Sequence, residues 1–280
     1  MNKRTMALTI VLVVVLIAAQ IFAAEIKVDL SKEQVGKPPV TFEPIVGTWI
    51  VAQDGQDKVI MVDGRPWVAS KDTPTKLLVA SARRLYGVSN EELMDNAKQF
   101  AYYPVAVLKS LDNFTNGTLS LKFKTISGDA DRASGILFNV KPNGDWLCVR
   151  YNDTENNVAF WEFHNGIRRN LRFSDRNKPF NLDRNAWHEL KLTVDGPALK
   201  AYLDGALAVE YTLGVDPAAG RGTPNPDLFP ANNPVLRPPV AGKVGLWANF
   251  SLTFKSTGAR NTIRASISTW QTIGSTRLPV

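Results

Sequence analysis

The feature that most constrains this chain is a train of short apolar runs between residues 102 and 213. In order they are "YYPVAVLKS", "GTLSLKFKTIS", "SGILFNV", "WLCVRYN", "VAFWEFH", "HELKLTV", "ALKAYLD" and "LAVEYTL". Each has the length of a strand, turn signals recur between them, and no run of helical spacing intervenes. Parallel strands need long crossover connections, usually helical. A chain without them pairs antiparallel and closes into an all-β sandwich. Within the train, "KPNGD" and "DTENN" separate three runs between residues 135 and 166. Pro142, Asn143 and Gly144 supply the backbone angles of a tight reversal, so this stretch reads as a meander.

Upstream, "TWIVAQDGQDKVIMVDGRPWVAS" alternates apolar and polar residues around two Asp-Gly steps, which favour hairpin turns. Between residues 72 and 100 the pattern changes. "TKLLVASARRLYG" has helical spacing with a glycine past its end. "SNEELMDNAKQF" opens with Ser89 and Glu92, a capping-box arrangement. Two short helices are therefore expected as an insertion, serving as a lid or docking element or as mere decoration. Residues 214–242 hold seven prolines without periodicity and read as a long ordered loop. The chain closes with "GKVGLWANFSLTFK" and a polar, strand-like "NTIRASISTWQTI". The expected organisation is a leader at 1–23, an extended lead-in at 24–40 and one sandwich domain at 41–280.

The leader reads as a signal peptide. Lys3 and Arg4 precede the apolar "MALTIVLVVVLIAA", and small residues follow at Ala23 and Ala24. Cleavage after Ala23 sends the protein to the periplasm or the medium of a bacterium. The alternative is an uncleaved anchor, because the apolar run is nearly long enough to span a bilayer. Loss of Lys3 and Arg4 takes the formal charge from +7 to +5. The densest basic cluster is Arg168, Arg169 and Arg172 with Arg176 nearby. It reads as a solvated turn beside a strand, so nucleic acid is not expected as a partner. A single cysteine, Cys148, leaves no internal disulfide, and the fold must rest on its apolar core.

The order of these pieces resembles the concanavalin A-like lectin/glucanase superfamily, in its secreted bacterial laminin-G-like, family-16-glycoside-hydrolase-like or 3-keto-disaccharide-hydrolase-like branch. The pieces that carry it are "GTWIV", "DKVIMV", "DRASGILFNV", "GDWLCVRYN", "NNVAFWEFHNGIRRNL", "NAWHELKLTVDGPALKAYLDG" and "GKVGLWA". The resemblance implies an antiparallel jelly-roll sandwich whose concave sheet commonly carries a sugar site.

Side chains on a strand alternate between faces, so Trp146, Cys148, Arg150 and Asn152 share one side, as do Val158, Phe160, Glu162 and His164. If the "DTENN" turn sets Asn152 opposite Val158, the two polar sets coincide. The expected ligand face is then Trp146, Arg150, Asn152, Phe160, Glu162 and His164, with Asn139 from the neighbouring strand. Leu147, Val149, Tyr151, Trp161 and Phe163 would fill the core. Aromatic rings accept the C–H face of a pyranose, and planar polar side chains match its hydroxyls. The alternative is an Arg150–Glu162 ion pair on a bare sheet, contributing little.

Family-16 enzymes carry a Glu-x-Asp-x-x-Glu run on one strand, and this chain has none. Glu162 and His164 are the nearest acid–base candidates for catalysis on a glycosidic bond. No metal-ligand spacing surrounds His164 or His188, so no metal is expected. A structural calcium on Asp54, Asp57 or Asp153 has no motif behind it. Three functions thus stand: carbohydrate binding, a glycoside-hydrolase-like activity with Glu162 and His164 at its site, and a structural or interaction module.

Overall fold

Alternating apolar runs become two antiparallel sheets in the computed structural model, which describes residues 25–63, 75–87, 103–127, 131–215, 233–251 and 260–268. The eight-stranded sheet holds β1 (Glu25–Ile26), β3 (Thr48–Asp54), β4 (Asp57–Asp63), β6 (Gly117–Ser127), β11 (His188–Asp195), β12 (Ala198–Leu203), β13 (Ala206–Thr212) and β15 (Arg260–Ser268). The seven-stranded sheet is ordered β10 (Ile167–Phe173), β9 (Asn157–His164), β8 (Trp146–Asn152), β7 (Asp131–Val140), β14 (Lys243–Ser251), β5 (Val105–Leu108) and β2 (Phe42–Val46). Every described pairing is antiparallel. This is the antiparallel all-β sandwich expected from the strand train, in the jelly-roll class that the resemblance implied.

The core between the sheets gathers Phe42, Val51, Ile60, Leu121, Phe138, Leu147, Val149, Phe160, Leu190 and Leu192. A second apolar cluster lies on the other side of the seven-stranded sheet. Val105, Val107, Leu137, Trp146, Cys148, Phe163 and Trp247 form it, with Leu85 packed among them. Strand β8 is therefore buried on both faces along its whole length.

Leu85 belongs to helix α1 (Thr75–Tyr86), the first of the two helices expected in the insertion. The helix docks on β2 through Glu43, which is buried. Ser81 Oγ donates to Glu43 Oε1 at 2.8 Å, and Arg84 donates to both carboxylate oxygens at 2.6 and 2.7 Å. The expected second helix, the leader, residues 64–66 of "VDGRP" and most of the proline-rich stretch lie outside the described residues. Of that stretch, residues 234–236 form one 3₁₀ turn, capped by Asn233, whose side chain accepts from Val235 N. No helix among the described residues is long and apolar enough to cross a membrane.

Candidate functional site

The geometry of the site is set by the β8–β9 turn, and here one expectation is corrected. Asn152 pairs with Asn157, not with Val158. The turn is four residues, 153–156, closed by Asn152 Oδ1 accepting from Thr154 N and Glu155 N and by Asn156 at φ 52°. A shift of one residue moves every side chain of a strand to the opposite face. Trp146, Cys148 and Arg150 consequently stand beside Phe163, Trp161 and Ala159, on the face turned away from the other sheet. Phe160 and Glu162 point the other way, with Val149 and Leu147.

The expected ligand set therefore divides. Phe160 is wholly buried between the sheets. Glu162 is also wholly buried: Asn233 Nδ2 donates to its Oε2, and Arg169 Nη1 to its Oε1 at 3.2 Å. Burial pushes its carboxyl above the usual range, against the pull of Asn233 and Arg169. An acid so enclosed does not reach a glycosidic bond. His164 sits near the end of the sandwich, its Nδ1 2.8 Å from Asp145 Oδ2, and takes no part in the face that carries Arg150. Asn139, at φ 53°, turns inward to hold the proline-rich segment, donating to Val235 O at 2.8 Å and accepting from Ala241 N at 3.1 Å. Asn152 is spent on the turn, and Trp146 is covered, its ring centroid 4.1 Å from that of Phe163. Of the expected set, Arg150 is the one beside the cleft on the outer face, while the partly exposed His164 belongs to the other face.

Around Arg150 the structure assembles side chains that the sequence pattern did not single out. Its guanidinium is 4% exposed and bridges the turn, Nη1 donating to Asn157 Oδ1 and Nη2 to Glu155 Oε2 at 2.7 Å. Asn157 Nδ2 donates to the same Glu155 oxygen at 3.1 Å. Burial alone would raise the Glu155 carboxyl, but Arg150, Asn157 and Arg176 together hold it below its usual range. Space for Arg150 comes from β7. A Cβ at Gly135 would lie 2.6 Å from Val149 O and 2.9 Å from Arg150 Cβ, so glycine alone fits there. In front of this bridge Glu155, Asn156, Asn157 and Arg176 line a cleft of about 290 Å³.

From the cleft a line of alternating cations and rings runs across the sheet. Arg176 lies 4.5 Å over Phe173, which meets Trp161 edge-on at 5.8 Å. Arg168 covers Trp161 at 4.2 Å and Tyr103 at 4.7 Å, and Tyr103 stacks on Trp247 at 5.5 Å. Arg150 completes the set, 5.7 Å from the Trp161 ring. Strand β10 brings Arg168 there because Asn165 and Gly166, both at positive φ, make the two-residue turn that sets Arg168 opposite Phe163. The basic cluster read as a solvated turn is thus split by strand alternation. Arg168 stacks on the outer rings and Arg169 binds Glu162 on the inner side. The buried Nε1 atoms of Trp161 and Trp247 have no hydrogen-bond partner in this line.

Two of the three calcium candidates, Asp54 and Asp153, are taken up by cationic side chains. Asp54 receives the Lys124 ammonium at 2.6 and 2.7 Å and Trp187 Nε1 at 2.9 Å. Asp153 receives Arg132 at 2.6 Å and Arg184 at 3.2 Å. Among the described residues, no three His, Cys, Asp or Glu side chains come together as a metal centre. Cys148 is buried, and burial pushes its thiol up, far from a reactive thiolate.

No family model matches the chain, and no curated protein does. Solved structures do. The chain is similar to the carbohydrate binding module CBM66 from Bacillus subtilis at 14% identity, covering 84% of this chain and 97% of that one, with a TM-score of 0.48. It is similar to a Crh5 transglycosylase in its apo form at 11% identity, over 89% and 85% of the two chains, TM-score 0.48. A Bacillus licheniformis beta-glucanase matches at 12% identity over 60% and 71%, TM-score 0.40. At such identities the likeness concerns the fold alone.

Proposed function

We propose that the protein is an exported carbohydrate-binding β-sandwich whose site lies on the outer face of the seven-stranded sheet, at the β8–β9 turn. The observation that carries this reading is the juxtaposition of the Glu155–Asn157–Arg176 cleft with the half-buried ring of Trp161. A pyranose presents an apolar C–H face and a rim of hydroxyls, each able to donate and accept. Trp161 matches the first. The carboxylate, amide and guanidinium groups of the cleft match the second, and Arg150 fixes two of them before any ligand arrives. Such preorganisation lowers the ordering cost of binding.

The test is a glycan array on the mature protein, followed by titration calorimetry of a hit against Asn157→Ala and Arg176→Gln. Each removal leaves ligand hydroxyls without partners and costs ~1–3 kcal/mol, roughly tenfold to a hundredfold in affinity. Thermal melts of both variants check that the fold persists. An array without a hit, or unchanged affinity in both variants, overturns the proposal.

A further inference from the structure

The charge of the site narrows its ligand further. Along the cleft and the line of rings, three guanidiniums, Arg150, Arg168 and Arg176, face one carboxylate, Glu155. Only Arg150 is committed to it by hydrogen bonds. Asp175, beside Arg176 in the chain, lies 3.9 Å from Lys178, and Asp153 of the turn is taken up by Arg132 and Arg184. Arg168 is exposed and, among the described residues, makes neither an ion pair nor a hydrogen bond; it rests on the faces of Trp161 and Tyr103. A guanidinium laid on a ring keeps its five N–H groups at the edge of its own plane, where they remain free to donate. Among the described residues, the Nε1 of Trp161, whose ring Arg168 covers, is a buried donor with no acceptor. Buried donors without partners are rare enough in folded proteins that each calls for a physical reason.

From these observations we infer that the ligand is an acidic saccharide bearing ring carboxylates, that is, a chain of uronic acids. This rests on the carbohydrate-binding reading and deepens it. The fork of Arg168 matches a carboxylate bidentately, while a pyranose carrying that carboxylate can lie along the adjoining ring. Arg168 then exchanges its contact with Trp161 for one with the ligand, which opens the indole N–H to a ligand oxygen. Arg176 provides the second cation at the mouth of the cleft, one sugar ring or more away along the line.

The experiment uses the mature full-length chain and three defined probes: oligogalacturonate, oligomannuronate and hyaluronan oligosaccharide. Each is compared by calorimetry at low and physiological salt with its carboxyl-reduced counterpart, which keeps the linkages and loses the charge. A sulfated neutral oligosaccharide is included to separate carboxylate from sulfate. The expected result is that at least one uronate binds about tenfold or more tighter than its reduced form. That preference weakens as salt rises. Arg168→Gln/Arg176→Gln abolishes the preference. The charge-matched Lys122→Gln/Lys191→Gln, on β6 and β11 of the other sheet, leaves it intact.

Equal affinity for acidic and reduced forms overturns the acidic-ligand inference and leaves carbohydrate binding standing. So does an equal loss in the two double variants, which would show general attraction to a basic protein. Preference for the sulfated probe also overturns it. Binding of neither the uronates nor any array glycan overturns both readings.

Discussion

Two arginines flank the same turn, and they are held differently. Arg132, at the start of β7, alternates with Ala133 of the outer cluster and so faces inward. It meets Asp153 at 2.6 Å, with both side chains about 5% exposed, and Arg184 closes the pair from outside. Arg150 faces outward and is equally buried, yet its partner Glu155 is 49% exposed and lines a cleft. The first pair is sealed on all sides by protein. The second sets a buried, fixed cation against an acceptor that faces solvent. A sealed pair contributes to the fold; a half-open pair of the same chemistry is poised for an exchange of partners.

The largest effect expected from this contrast is on the sealed pair. Asp153→Ala removes the buried carboxylate that Arg132 meets at 2.6 Å, and breaking such a pair costs about 3–5 kcal/mol. Urea denaturation measures it. A loss under about 1 kcal/mol would mean that water already reaches Arg132, and the contrast between the two arginines would collapse.

The next test sets the two faces of β9 against each other. Phe160, wholly buried between the sheets, should cost about 3–5 kcal/mol when truncated to Ala. Trp161, its half-buried neighbour on the outer face, should cost roughly half as much despite its larger ring. The reverse order would restore the register in which Trp161 fills the core.

That register is where the sequence stopped being legible. The sandwich itself was readable, because strand-length runs without crossover helices leave an antiparallel chain few other ways to cover its apolar faces. Alternation puts Leu147, Val149 and Tyr151 in the core for the same reason, and they lie there. The face of β9 was not readable. Register is pinned by alternation when one face of a strand is wet, and β8 is buried on both. With Trp146 and Cys148 on one side and Leu147 and Val149 on the other, hydrophobicity does not say which side is the core. The choice then fell to the length of one turn, and "DTENN" admits either four or five residues. Asn139 was beyond local reading for another reason: its partners, Val235 and Ala241, lie about a hundred positions away in a segment without periodicity. Of the proposed site, Arg150 was the residue legible in the sequence. Glu155 and Asn157 were within the quoted turn, and a four-residue turn closed by Asn152 was the signal that placed them on Arg150's side.

A smaller effect separates Glu162 from Glu155 by the sign of their pH dependence. Glu162 titrates above the usual 4.5 in the folded chain, chiefly because burial disfavours its charge. Between that value and its raised one the folded chain holds a proton that the unfolded chain has released. Stability from this group is therefore present at low pH and declines as pH rises through the window. Denaturation midpoints of the wild type relative to Glu162→Gln should fall from pH 4 towards neutrality. A difference that rises with pH instead would show that Arg169 and Asn233 outweigh burial.

The smallest effect on stability is the most informative about function. Glu155 is half exposed, and its carboxyl lies below the usual 4.5 because Arg150, Asn157 and Arg176 offset the burial that would raise it. Its contribution is present at neutral pH and fades as pH falls from the usual 4.5 through its lowered value, opposite in sign to that of Glu162. Exposed pairs of this kind are worth at most about 1 kcal/mol, so Glu155→Gln should shift denaturation only slightly. Binding should respond far more, because Gln offers one acceptor where Glu offers two and replaces the other with a donor that faces Arg150. A tenfold weaker affinity for an array hit, with the melt nearly unchanged, is the expected signature. If Glu155→Gln instead destabilises the chain as much as Asp153→Ala and leaves binding intact, the two arginines are equivalent. The β8–β9 turn would then be a clasp of the fold with no ligand to hold.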